Sequence, residues 1–181
     1  MKIKGNILKS RVAFVKDRFG YAGWERVRSA LSAEDQKTLG GIITNSGWYP
    51  FDVGKRLDEA IVATVGRGSF TLFEELGRAS ARENLGGVHH GLLTPGDPEA
   101  FLKKAQMIYQ FYYDVGRRTW ESTGPGAGVL TTHDAETYSE ADCATVIGWY
   151  KEALTMCGAT AVRVVEQSCR GRGDEMCRYS V

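Results

Sequence analysis

The sequence predicts an α+β fold: N-terminal helices, about five of them, followed by a four-stranded antiparallel sheet crossed by a long helix. Three observations predict it. Apolar residues recur at helical spacing through the first two thirds of the 181 residues. After Gly116 the pattern changes to short β-prone runs around Gly-rich or polar turns. Between two such hairpins lies one long apolar-striped segment with a clear start and stop.

Each element has its own signal. Leu8, Val12, Val15 and Phe19 repeat at helical spacing, and Trp24, Val27 and Leu31 continue the pattern after Gly20, so two helices are expected there. A third uses Val53, Leu57, Ile61 and Val65 after Trp48-Tyr49-Pro50; a fourth runs from Phe70 through Phe73 and Leu76 toward Asn84, stopped by Gly86-Gly87. The fifth starts most clearly, because Asp97 can cap it, Pro98 has a preset φ for the first turn and Glu99 complements the helix dipole. Phe101, Ala105, Ile108, Tyr112 and Val115 form its apolar stripe.

Residues 118–122 and 129–132 then flank Gly124-Pro125-Gly126-Ala127-Gly128, a turn suited to a β-hairpin. The crossing helix begins at Ser139, whose hydroxyl can cap while Asp142 reaches back, presents Cys143, Val146, Ile147, Tyr150, Leu154 and Cys157 on one face, and stops at Gly158. Residues 162–169 and 176–181 supply the last hairpin. No repeat, low-complexity stretch or linker interrupts residues 1–181, so a single domain with a substantial core is expected.

Composition excludes several classes of function. A net charge of +1 without a basic cluster argues against nucleic acid as a partner. No apolar run reaches the ~18 residues of a membrane span, and no signal-peptide stretch follows Met1-Lys2-Ile3-Lys4-Gly5, so a cytoplasmic protein without membrane partners is expected. Catalytic motifs are absent: there is no Gly-x-Ser-x-Gly elbow, phosphate-binding Gly-rich loop or His-Glu-x-x-His helix. His133 and Asp134 are adjacent, so in a strand their side chains point apart and make a poor dyad. The chain is not expected to be an enzyme.

Cys143, Glu166, Cys169 and Cys177 carry the strongest chemistry. Three thiolates and a carboxylate can close a tetrahedral zinc site, and Cys143 in the first turn of a helix is placed to favour its thiolate. Cys157 lies fourteen residues further along the same helix, about 21 Å away, and is assigned to the core. Arg170, Arg172 and Arg178 flank the set and can balance its negative charge. Buried free cysteines or a cross-hairpin disulfide remain open alternatives.

With its Gly173, this pattern resembles the 4-vinyl reductase domain family, including the sensor domains of phenol-responsive transcriptional activators, whose zinc is held by three cysteines and a glutamate at matching spacing. The resemblance implies zinc on Cys143, Glu166, Cys169 and Cys177. More loosely, residues 14–20 (Phe-Val-Lys-Asp-Arg-Phe-Gly) with Trp24-Glu25 resemble the opening of haem nitric-oxide/oxygen-binding domains, whose superfamily includes transport-particle subunits. From Gly47-Trp48-Tyr49-Pro50-Phe51 onward the chain is similar to an uncharacterised paralogous family of single-domain myxobacterial proteins. Haem sensors take a proximal histidine from the helix matching residues 98–115, which here has none, and a Tyr-x-Ser-x-Arg motif is missing around residues 130–136. The expected cofactor is therefore zinc, with no haem.

Ligand-binding candidates are Tyr109, Tyr113 and Trp120, from an aromatic-rich stretch that either lines a small apolar cavity or fills the core, and His89 and His90, which either face a pocket or sit at the surface. The expected function is a regulatory module that binds a small hydrophobic or aromatic molecule. The phenol sensors continue into effector domains and pair through this domain, which implies a homodimer that signals through a separate protein partner. The alternative is an interaction subunit of the transport-particle type with no exchangeable ligand.

Overall fold

The computed structural model describes residues 1–87, 89–136 and 138–181. Strand β1 (Lys2–Lys4) leads into α1 (Gly5–Ser29), and α2 (Ala33–Gly40) precedes β2 (Trp48–Pro50). Helices α3 (Phe51–Thr64), α4 (Leu72–Gly86), α5 (Pro98–Leu102) and α6 (Ala105–Tyr112) complete the helical part. Strands β3 (Arg117–Gly124) and β4 (Ala127–His133), helix α7 (Glu140–Met156), and strands β5 (Val165–Ser168) and β6 (Cys177–Ser180) follow. The expected α+β architecture is present: β3-β4-β6-β5 form one antiparallel sheet, with α7 between its two hairpins in sequence.

Local chemistry explains most boundaries. Ser32, Asp97 and Ser139 each accept a backbone N–H of the first turn, capping α2, α5 and α7. Gly20 adopts φ 69°, which a glycine tolerates, and bends α1 where two separate helices are expected from sequence. The single fifth helix is instead two, with the break at Lys103–Lys104, where the Lys104 ammonium reaches the Leu92 carbonyl and the Thr94 hydroxyl. Helix α2 and the β1–β2 pair have no counterpart in the sequence reading; Lys2 pairs with Pro50, so the N-terminus is tied to the start of α3.

The closest packing lies between α4 and α7. A Cβ on Gly77 would run into the Thr145 carbonyl, and one on Gly148 into that of Glu74. These glycines let the two backbones approach, so α7 is held between α4 and the sheet. Leu8, Val15, Leu57, Ile61, Phe73, Phe101 and Leu130 are fully buried in the shared core.

Candidate functional site: a tyrosine-lined cavity and a thiol corner

Two buried clusters meet around Arg118 and Asp142. The first is a cavity of about 50 Å³ among Ile7 and Arg11 of α1, Ser80 of α4, Tyr109 and Tyr112 of α6, the following Tyr113, Arg118 of β3, and Asp142, Val146, Trp149 and Tyr150 of α7. Helical spacing assembles it: Ile7 and Arg11 share one face of α1, and Asp142, Val146, Trp149 and Tyr150 share one face of α7. Five aromatic side chains contribute to the wall. Tyr109 stacks on Tyr113 with ring centroids 4.7 Å apart, and Trp149 meets Tyr112 and Tyr150 edge-on at 5.9 and 5.2 Å.

Its polar groups fall into two sets. Arg11 binds Asp58 of α3 through two hydrogen bonds of 2.6 and 3.0 Å and reaches Asp142 at 3.4 Å, while the Tyr113 hydroxyl donates to both Asp142 oxygens at 3.0 Å. Burial pushes the Asp58 carboxyl up to about 6 against the pull of Arg11, and burial also raises Asp142. Two carboxylates share this one guanidinium. By contrast, the Tyr112 and Tyr150 hydroxyls are buried without a well-aligned hydrogen-bond partner among the described residues, although the Arg118 guanidinium lies beside the Tyr150 oxygen.

The second cluster joins α7 to the β5–β6 hairpin. The Cys143 sulfur lies 3.2 Å from that of Cys169 and 3.4 Å from that of Cys177, and this group of three could hold a metal ion. The hairpin turn is fixed by Asp174, whose carboxylate accepts the Cys169 N–H at 2.7 Å, and by Gly173 in the left-handed region. Hydrogen bonds from the Cys143 and Cys169 thiols pull Cys177 well below the usual thiol range, assisted by the Arg170 N–H. Those same sulfur contacts push Cys143 up. Cys157 is fully buried in the core, apart from this group.

Glu166 is not brought into the thiol group. The ladder is irregular between Glu166 and Ser168, and the Glu166 carboxylate forms an ion pair with Arg172. Among the ligand candidates, Tyr109 and Tyr113 line the cavity. Trp120 lies apart, lining a separate pocket of about 360 Å³ with Leu154 and Val162. His89 packs outside the cavity, 5.4 Å from Phe111 and 5.9 Å from Tyr112, and His90 is exposed. Asp142 does not reach back as a cap, since Tyr113 and Arg11 occupy it. Arg11, Asp58 and Arg118 escaped the sequence reading, although a charged residue at 11, on the stripe of Leu8 and Val15, was a usable signal.

No family model and no curated protein sequence matches this chain. Solved structures do match. An H-NOX protein mutant from K. algicida, described as Fe(II) unliganded, aligns at TM-score 0.74 and 15% identity over 98% of this chain and 94% of that one. A structure described by the modulation of haem redox potential through porphyrin distortion aligns at 0.67 and 14%, covering 98% and 97%. An oxygen-binding H-NOX domain related to soluble guanylate cyclases aligns at 0.67 and 14%, covering 98% and 92%.

These matches overturn the expectation of zinc with no haem. That expectation rests on a spacing pattern, whereas the structures sharing the fold include H-NOX proteins, and two of the matches are described by haem or porphyrin distortion. The cavity of about 50 Å³ is about a third of the ~150 Å³ that admits benzene, so a porphyrin does not fit between the side chains as they stand. Of the three histidines, His89 is the one packed against α6. At these identities the likeness establishes architecture alone: the chain has the H-NOX fold.

Proposed function

We propose that this chain is a non-enzymatic sensor domain that takes a small hydrophobic or aromatic molecule into the cavity between α6, α7 and β3. The observation that carries this reading is the pair of buried, unpartnered hydroxyls of Tyr112 and Tyr150 in a wall to which five aromatic side chains contribute. An unpaired buried hydroxyl costs on the order of 1–3 kcal/mol, a cost that a ligand with one acceptor atom would remove. The H-NOX fold of the chain supports a binding role. A small apolar molecule is the simplest match to the wall, and one of benzene size would require the tyrosines to move.

On this reading the domain works in the cytoplasm, pairs with a second copy and passes its occupancy to a separate protein. Among the described residues no helix is long and apolar enough to cross a membrane, which agrees with that setting. The spacing of Cys143, Glu166, Cys169 and Cys177 supports a finer kinship with the 4-vinyl reductase domains and the myxobacterial single-domain proteins. We assign the three thiols the role of a clasp between α7 and the last hairpin. The narrowness of the cavity favours a second reading, an interaction subunit of the transport-particle type with no exchangeable ligand.

A thermal-shift panel of small aromatic and aliphatic compounds tests the first reading. A ligand at 100 times its Kd stabilises by about 2.7 kcal/mol, or roughly 5–10 °C for a domain of this size. The absence of any shift across the panel, with a monomer in light scattering, would transfer support to the interaction subunit.

A further inference from the structure

The chain buries two arginines beside one cavity and treats them oppositely. Arg11, 3% exposed, is met by the carboxylates of both Asp58 and Asp142. Arg118, 6% exposed, has no carboxylate within ion-pair distance among the described residues; its Nε donates to Thr132 Oγ1 at 3.0 Å. What surrounds it instead is aromatic: the guanidinium carbon lies 5.2, 5.7 and 5.9 Å from the ring centroids of Tyr109, Tyr150 and Tyr179. Such contacts are weaker and less directional than a bidentate ion pair, and they leave the in-plane N–H donors of the fork unmatched.

The vacancy is geometric: among the described residues the fork pairs with no carboxylate, although the charges of Asp142 and Cys177 act on it through space. Arg118 lines both the cavity of about 50 Å³ and a neighbouring one of about 20 Å³. Asp142 lines both too, but its oxygens already accept from Tyr113 and Arg11. The other unpartnered polar atoms on the larger cavity are the Tyr112 and Tyr150 hydroxyls, which can each donate. The wall therefore offers a planar cationic fork and two phenol donors, and among the described residues no carboxylate is paired with them.

We infer that the cavity at Arg118 is a binding site for a small organic carboxylate, whose two oxygens take the guanidinium fork and whose carbon chain lies against Tyr112, Trp149 and Tyr150. This rests on the proposed reading of the cavity as a ligand site and names the ligand class. A carboxylate rather than a neutral carbonyl follows from the charge of Arg118 in a low-dielectric surround and from the bidentate match of carboxylate to guanidinium. The volume, about a third of the ~150 Å³ that admits benzene, suits only the smallest carboxylates without rearrangement. Acetate is the fitting probe, and propionate, butyrate and benzoate require the wall to open to an increasing degree.

The test is isothermal titration of the full chain with acetate, propionate, butyrate and benzoate, each beside its neutral amide, on wild type, Arg118→Met and Tyr150→Phe. Expected is saturable binding of at least one short carboxylate, at least about tenfold weaker binding of its amide, a loss of tenfold or more in Arg118→Met, and a loss of a few fold in Tyr150→Phe. If Arg118→Met fails to fold, Tyr150→Phe and the amide comparison decide the matter, because that variant removes only an unpartnered hydroxyl. Amides that bind while carboxylates do not would overturn the carboxylate site and leave the cavity reading standing. Equal carboxylate affinity in wild type and folded Arg118→Met would overturn it too. No binding of any probe, with none in the aromatic panel, would overturn both.

Discussion

The tyrosine-lined cavity and the thiol corner both touch Arg118, Tyr109, Tyr113 and Asp142, yet they use their polar atoms in opposite ways. In the thiol corner every sulfur of Cys143, Cys169 and Cys177 has a sulfur or backbone partner within 3.4 Å, and the turn that carries two of them is tied by Asp174. In the cavity, among the described residues, the Tyr112 and Tyr150 hydroxyls have no well-aligned partner and Arg118 pairs with no carboxylate. A corner with satisfied partners stabilises the fold. A cavity with unsatisfied ones weakens it unless something occupies the space, and that asymmetry separates the structural part of the core from the part suited to binding.

The largest effect is expected at the wall that closes the cavity. Arg11→Met leaves Asp58 and Asp142 buried together without their shared cation, and breaking such a pair typically costs about 3–5 kcal/mol. Urea denaturation measures it. An effect below about 1 kcal/mol would show that the pair behaves like a surface contact and that the burial argument is wrong. The thiol corner comes next. Cys169→Ala removes a fully buried sulfur between α7 and the hairpin, with an expected cost of about 1–3 kcal/mol. Thiol reagents should modify the native protein slowly for the same reason, since all four cysteines are buried.

A smaller, pH-dependent effect sharpens the picture. Folding raises the Asp58 carboxyl from 3.8 to about 6, so the folded state holds this proton more tightly than the unfolded one. The resulting stability is fully present below about pH 4 and is lost as the pH rises through about 6. Asp58→Asn should flatten that part of the stability–pH profile. A wild-type profile that rises monotonically from pH 4 to 6 and is unchanged in the variant would show that Arg11 keeps Asp58 ionised. The smallest effect is expected inside the cavity: Tyr150→Phe removes an unsatisfied hydroxyl and should leave stability unchanged or raise it by up to about 1 kcal/mol. A loss of 1 kcal/mol or more would mean that the hydroxyl has a partner in solution, and the contrast between the two regions would shrink.

Much of the fold was legible because its signals are local. Asp97-Pro98 and Ser139 cap helices as their side chains dictate, and the Gly-rich stretch at 124–128 turns β3 into β4. Helix α2 was not legible because it is short and buries only Asp35 and Leu39, too few positions to establish a period. The break between α5 and α6 escaped because two lysines interrupt the helix without shifting its apolar stripe out of phase. At the site, Cys143, Cys169 and Cys177 converge as their spacing suggested, while Glu166 does not, because a ladder irregularity and Arg172 intervene across the hairpin. The cavity's charged members come from α1, β3 and α7, with Asp58 of α3 behind Arg11, and such long-range pairing leaves no pattern in a single stretch of sequence.

The central claim, that the space beside Trp149 is where a small molecule binds, is tested most directly by fluorine NMR of the chain labelled with 5-fluorotryptophan. The four tryptophans give four probes in separate places: Trp24 on α1, Trp48 partly exposed on β2, Trp120 in the separate pocket beside Leu154, and Trp149 in the cavity wall. Titration with acetate and with small aromatic compounds should move the Trp149 resonance saturably and leave that of Trp48 in place. Saturable shifts confined to Trp48 or Trp120, or a Trp149 resonance that no compound moves, would contradict the account.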